Sequence, residues 1–343
     1  MTRMPASWIA LHLTDRCPLE CVHCLRDPGA RPTDLPVAAI ERILDQAVRT
    51  HRVEQVSLTG GEPTAHPALR DVVGAIVRRG LQFHLVTSGV GLQRLLDLVD
   101  GDPAARAALT RVNVSIDGAS EETHDAIRGP GSYRRAVTAL AACKARDIPL
   151  AVQMTVNALN QAELEQAALA AVELGADQVV FAMTQPTGTQ ADERLWLPAR
   201  AWAGVADRVE RLTGVLRVPV IASEGFPRKQ PFHTCAPVAS EVLHVDPPGR
   251  LTLCCQHSGI PGGSGELAVD LGAVSLAEAH RRLLDVVHRY QRERLELMES
   301  GAIGEWDLFP CNACLARFGK PHWTDAGSAG PRARRDGPLE GTG

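Results

Sequence analysis

The 343-residue sequence predicts an α/β protein built on a parallel sheet, and two observations carry that reading. Up to about residue 215, short apolar runs with strand character alternate with longer stretches whose apolar residues recur three and four apart, so strands alternate with helices. Beyond that point the rhythm stops and five cysteines follow, which predicts a smaller second unit of different construction.

The expected strands, in order, are Trp8–Leu13, Val53–Thr59, Gln82–Thr87, Arg111–Ile116, Pro149–Val156 and Gln178–Phe181. In the fourth, RVNVSIDG, Val112, Val114 and Ile116 fall on one face and Asn113, Ser115 and Asp117 on the other. The fifth, LAVQMTVN, sets Gln153, Thr155 and Asn157 apart in the same way. Crossover helices should bury both faces of such a sheet, whereas exposed antiparallel strands would give the same alternation. Cys143 lies on a helical pattern with Val137, Leu140 and Ala141 and reads as a small core residue.

Cys17, Cys21 and Cys24 form a C-x3-C-x2-C triplet in CPLECVHC, just after the first strand. Three thiolates are one short of a full set for a four-iron cluster, which leaves one iron open to another ligand. Cysteines at this spacing also suit tetrahedral zinc. One strand and one helix later comes Leu58-Thr59-Gly60-Gly61-Glu62-Pro63. Its glycines allow close backbone approach, and its carboxylate can accept hydrogen bonds from an ammonium group. Alone that run is a turn. Zinc binding does not require it.

Together the two motifs resemble the radical S-adenosylmethionine (radical SAM) superfamily. The resemblance implies a partial (β/α)6 TIM-type barrel over residues 1–215, with the site at the C-terminal mouth of the strands. It implies that Cys17, Cys21 and Cys24 hold a 4Fe–4S cluster whose open iron binds SAM, and that Gly60, Gly61 and Glu62 hold the methionine amino group. Ser88, in Thr87-Ser88-Gly89, corresponds to a ribose or carboxylate contact, and Ser115 and Arg128 to contacts with the SAM carboxylate. Arg128 reads equally as a surface ion pair with Asp125 or Glu122. His23 stands where the family usually has an aromatic residue and reads as a loop-surface imidazole. In such a barrel Asn113, Gln153, Thr155 and Asn157 face the lumen and become the expected substrate contacts.

Composition agrees with an enzyme of this kind. Net charge is −4, from 36 basic and 40 acidic residues, with no basic stripe for nucleic acid. No apolar run approaches about 18 residues, and Met1–Ser7 lacks a signal peptide's apolar region, so a cytoplasmic protein is expected. Nine cysteines then indicate metal or redox chemistry rather than disulfides.

The C-terminal cysteines are Cys235, Cys254, Cys255, Cys311 and Cys314. Four of these suffice for a second cluster. Residues 216–323 resemble the twitch domain, a truncated relative of the SPASM auxiliary-cluster domain. EVLHVDPPGRLTLCC reads as a hairpin, Ser275–Ser300 as an amphipathic helix opened by a capping box, and residues 324–343 as a disordered tail. On a strand, Cys254 and Cys255 would point to opposite faces. In the family's hairpin the ligand lies five residues after the turn glycine, here Gly249, which makes Cys235, Cys254, Cys311 and Cys314 the ligands and leaves Cys255 free. The implied cofactors are thus two 4Fe–4S clusters and SAM, with a flavodoxin or ferredoxin as reductant.

A free thiol beside a substrate radical can return a hydrogen atom from the opposite face. Together with the layout of the neomycin C epimerase type of aminoglycoside-modifying enzymes, this makes epimerisation of a small polar substrate the expected function, with Cys255 as donor. A dehydrogenase that oxidises a secondary alcohol is the alternative. A peptide-modifying enzyme is a further one, disfavoured because such relatives commonly carry a leader-binding domain ahead of the barrel and only 16 residues precede Cys17. A cluster-bearing electron carrier needs no amino-group site such as Gly60 to Glu62.

Overall fold

The computed structural model describes residues 4–26, 31–185, 193–258 and 265–318. Strands and helices alternate through the first two thirds: β1 (Trp8–His12), α1 (Val37–Thr50), β2 (Gln55–Thr59), α2 (Leu69–Val77), β3 (Gln82–Thr87), α3 (Gln93–Gly101), α4 (Pro103–Ala108) and β4 (Leu109–Ser115). There follow α5 (Glu121–Arg128), α6 (Ser132–Lys144), β5 (Leu150–Val156), α7 (Leu164–Glu173), β6 (Gln178–Met183), α8 (Ala199–Val215) and β7 (Val220–Ala222). The C-terminal part adds β8 (Val242–Val245), β9 (Arg250–Thr252), β10 (Ala268–Asp270), α9 (Leu276–Glu299) and α10 (Pro310–Arg317).

Local chemistry sets many of these boundaries. Helix α4 starts at Pro103, whose missing N–H is no loss there, and Asp102 accepts from the Ala104 and Ala105 amides. Ser120 caps α5 through the Thr123 amide, and Ser275 caps α9 through that of Glu278. In α1 the buried residues Ile40, Ile43, Leu44 and Ala47 fall three and four apart, so one stripe meets the sheet.

All ten strands belong to one sheet, in the order β10-β9-β8-β1-β2-β3-β4-β5-β6-β7. From β1 to β7 neighbours pair in parallel, as a series of right-handed crossovers requires. The helix-facing side chains are apolar and form one continuous core that includes Ile9, Leu11, Val56, Leu58, Phe83, Leu85, Val112, Val114, Met154 and Phe181. The opposite face is partly open: in β6 Gln178, Val180 and Ala182 are half-buried while Val179, Phe181 and Met183 are buried. Cys143 is buried in the core, as expected.

The expected break after residue 215 is incomplete. Strand β8 pairs in parallel with β1, Trp8 opposite Val242 and Leu11 opposite Val245, so the C-terminal hairpin extends the barrel sheet. The tail expected over residues 324–343 lies outside the described residues, which end at 318. Among the described residues no helix is long and apolar enough to cross a membrane.

Helix α9 docks on α1 through two buried imidazoles. His51 Nε2 lies 3.0 Å from His280 Nδ1, the rings stack at 5.2 Å, and the Leu276 amide donates to Gln46 Oε1 at 2.7 Å. Burial lowers the pKa of both rings from 6.5 to about 4, and each charge would repel the other. A folded-state pKa below the unfolded one means that stability is lost as pH falls from 6.5 towards 4, with up to about 3 kcal/mol per ring at stake. Urea unfolding should therefore lose stability across that window in wild type and lose less in His280→Leu. Parallel pH profiles would contradict this.

Candidate active site

The loop between β1 and α1 carries the first cysteine triplet, and the Gly-Gly-Glu turn after β2 holds that loop in place. The Gly61 amide donates to Thr14 O at 2.6 Å, and the Glu62 amide to Arg16 O at 2.7 Å. A Cβ at Gly60 would lie 2.6 Å from Thr14 O, and one at Gly61 would lie 2.5 Å from Arg16 O. Gly60 also has φ +139°, a conformation that favours glycine. The glycines are thus needed for contact with the cysteine loop's own backbone, a neighbour that the sequence does not reveal.

Glu62 is buried, and its carboxylate is already engaged. It accepts from the Thr64 hydroxyl (2.8 Å), the Thr87 hydroxyl (2.9 Å to each oxygen), the Ser88 amide (2.9 Å) and the Ser88 hydroxyl (2.7 Å). The carboxylate expected to meet an ammonium group is thus ringed by donors from Thr64, Thr87 and Ser88. Glu62 and Ser88 are brought together, as expected, but they bond to each other and tie the end of β2 to the end of β3.

The triplet thiols are close enough to influence one another. Burial raises the pKa of Cys17, helped by Glu62 and Cys24, and raises that of Cys21 to about 11, helped by Asp117, Cys24 and Cys17, while Arg26 opposes the first and Arg128 the second. Three mutually close thiols with two guanidinium groups beside them suit an anionic iron–sulfur cluster, which needs three thiolates and gains from nearby positive charge. Among the described residues no three His, Cys, Asp or Glu side chains converge as they would around a single metal ion.

Arg128 pairs with neither Asp125 nor Glu122. Its Nε donates to Asp117 Oδ2 at 2.5 Å, and both residues are buried. His23 is no surface imidazole either: its Nε2 lies 2.7 Å from the same oxygen, and its side chain is only 11% exposed. The Thr155 amide donates to Asp117 Oδ1 at 2.7 Å. Burial by itself would raise the Asp117 pKa, but Arg128 and His23 outweigh it and hold the carboxyl well below the usual range. One buried carboxylate therefore joins the cysteine loop, α5 and β5. The Val22 amide, donating to Ile127 O at 3.0 Å, closes the same junction.

The interior face of the sheet is richer than expected. Asn113 is buried and accepts from Arg111 Nε at 2.7 Å, while Arg111 Nη1 donates to Gln178 Oε1 at 2.6 Å. Gln153 and Thr155 are half-buried at successive interior positions, and Ser115, at the end of β4, lies in register with Gln153. Asn157 is buried and spent on a turn: its Oδ1 accepts from the Leu159 amide and its Nδ2 donates to Thr155 O. It leaves the expected lumen set.

The sequence reading missed Trp8, His12, His84 and Arg111, although each sits at an interior position with period two. Trp8 contacts His84 at 6.3 Å, and His12 meets His244 of β8 edge-on at 6.0 Å. Burial holds His12 and His84 at a pKa of about 4 and His244 at about 3, so these interior imidazoles are neutral at neutral pH.

The C-terminal cysteines form a second group. Cys254 and Cys255 do not lie on a strand: β9 ends at Thr252 and Cys255–His257 is a 3-10 turn, so the adjacent thiols hydrogen bond each other instead of pointing apart. That bond, burial and the neighbouring thiols Cys255, Cys314 and Cys311 raise the Cys254 pKa well above its ordinary value. Burial does the same at Cys311, helped by Cys235, Cys314 and Cys255, and pushes Cys235 up to about 11. Five thiols therefore share one buried region, a donor set that fits a fully ligated cluster. The carboxylate that acts on Cys235 and Cys311, Glu224, is itself paired with Arg228.

A family model, Radical SAM superfamily, matches residues 11–171. The PqqA peptide cyclase of Methylocella silvestris is 32% identical over 73% of this chain and 68% of its own length. The AdoMet-dependent heme synthase of Methanosarcina barkeri is 33% identical over 56% of this chain and 55% of its own. Streptococcus suis SuiB, solved bound to S-adenosylmethionine and also to its precursor peptide SuiA, superposes on 80% of this chain with a TM-score of 0.66 and 12% identity. The chain spans 65% of SuiB's length.

Proposed function

Because the chain belongs to the radical SAM superfamily, whose chemistry uses SAM and a 4Fe–4S cluster, we propose that it modifies a peptide by closing a bond between two of the peptide's own residues. The observation that carries this reading is the 32% identity to a PqqA peptide cyclase over 73% of the chain. The same finding overturns the expectation of a small-molecule epimerase and of an aminoglycoside-like substrate. The secondary-alcohol dehydrogenase falls with them, and Cys255 loses the part of hydrogen donor for inversion. Where the sequence begins does not limit its substrate, so the 16 residues before Cys17 do not disfavour a peptide.

In this reading Cys17, Cys21 and Cys24 hold the SAM-bearing cluster, and Cys235, Cys254, Cys311 and Cys314 hold a second one in a twitch-like domain over residues 216–323. Joining two C–H groups removes two hydrogen atoms: SAM chemistry would supply abstraction of one, the other would leave as a proton and an electron, and a cluster held by Cys235, Cys254, Cys311 and Cys314 would supply one-electron redox chemistry. The chain's own residues do the placing. The backbone of Gly60, Gly61 and Glu62 fixes the cysteine loop, and Ser88 and Ser115 line the strand ends. Asp117 holds the Arg128 guanidinium in place, and that guanidinium would meet the SAM carboxylate. Asn113, Gln153 and Thr155, with Arg111 and the neutral imidazoles of His12, His84 and His244, offer hydrogen bonds to a peptide backbone without a charged base among the rings.

Anaerobic incubation of the reduced, reconstituted protein with SAM and candidate short peptides, PqqA and SuiA among them, tests the proposal. The expected product is lighter than the peptide by two hydrogen atoms, with fragment ions missing between the joined residues. An unchanged peptide, with turnover of a heme precursor instead, would overturn it.

A further inference from the structure

The hydroxyl of Tyr290 is fully buried and has no hydrogen-bond partner among the described residues. Tyr290 is 5% exposed and sits on α9 in a small apolar cluster with Val238, Leu253, Leu267, Val286, Val287 and Phe318, against which Cys235 and Cys314 pack. A buried hydroxyl without a partner is destabilising, a cost that phenylalanine would avoid in the same space. The rest of the ring is accommodated without any polar contact, tilted against Phe318 at 5.8 Å. The oxygen is the one part of this side chain that the surrounding packing does not use.

Two of the thiols assigned to the second cluster, Cys235 and Cys314, pack against the same apolar cluster that holds this ring. Thiols are weak acceptors, but thiolates bound to iron are good ones.

We propose that the Tyr290 hydroxyl donates a hydrogen bond to a ligand sulfur of the second cluster and so sets that cluster's reduction potential. Tyr290 is then a positioning residue for electron transfer and not a catalytic one. The inference rests on the assignment of Cys235, Cys254, Cys311 and Cys314 as that cluster's ligands. A donated hydrogen bond stabilises the more negative, reduced form of a cluster, so its loss makes reduction harder.

The test is Tyr290→Phe in the full chain, with iron content, apo-protein stability and an EPR-monitored redox titration compared with wild type. The two cluster signals are told apart by SAM, which perturbs only the first. The expected result is full iron, an apo protein at least as stable as wild type, and a SAM-insensitive signal whose midpoint potential moves to a more negative value. Loss of the second cluster alone, from a variant that folds normally, would also support the bond, since one oxygen atom is the whole difference. An unchanged potential with full iron would overturn it. So would an apo variant less stable than wild type, which would mean that the hydroxyl already has a partner without the cluster. Iron near four per wild-type chain, with only the SAM-sensitive signal, would overturn the ligand assignment itself and the bond with it.

Discussion

Replacing Cys17, Cys21 and Cys24 together by alanine should reduce the iron of the reconstituted protein from about eight atoms per chain to about four and abolish reductive cleavage of SAM. The two thiol groups occupy separate places, one on the loop between β1 and α1 and the other ahead of β8, in the turn after β9 and on α10. Loss of one should therefore leave the other loaded. The triplet loop is held by backbone bonds to Thr14 and Arg16, which do not depend on sulfur, so the variant should keep its fold. Zinc near one atom per chain with no iron absorbance would contradict the assignment.

Asp117→Ala should destabilise the protein by about 3 to 5 kcal/mol, the usual cost of stranding one partner of a buried ion pair. The stranded charge is the Arg128 guanidinium, which is buried and whose only ion-pair partner among the described residues is Asp117. Two more donors, His23 Nε2 and the Thr155 amide, would lose their acceptor at the same time. Because this carboxylate joins the cysteine loop to α5 and β5, SAM affinity should fall as well. Asp117→Asn keeps the shape and one acceptor oxygen and should restore part of the stability. Urea unfolding and calorimetric SAM titration would show both effects, and a stability within about 1 kcal/mol of wild type would contradict the account.

The barrel was largely legible because its signals are local. Period-two apolar faces, helix stripes such as Ile40, Ile43, Leu44 and Ala47, and the Ser275 cap each lie within one element. What the sequence could not show depends on distant pairing. His23 meets Asp117 across 94 positions and His51 meets His280 across 229, and neither contact leaves a trace in spacing. The parallel pairing of β8 with β1 is equally remote, and it is what brings His244 to the interior beside His12. Cys254 and Cys255 were misplaced for a different reason. Thr252 pairs with both His244 and Ala268, after which the ladder ends and the chain turns, so the alternation rule no longer applies to the two cysteines. Glu62 was read by type alone, and only the fold shows that Thr64, Thr87 and Ser88 converge on it.

The measurement that tests the central claim most directly is the fate of a peptide hydrogen. The reduced protein is supplied with SAM and with the same candidate peptides carrying deuterium at all their carbon positions. The 5′-deoxyadenosine released should contain deuterium in step with the formation of a peptide lighter by two deuterium atoms. Unlabelled 5′-deoxyadenosine together with intact peptide would show that the hydrogen comes from elsewhere and would contradict a peptide substrate.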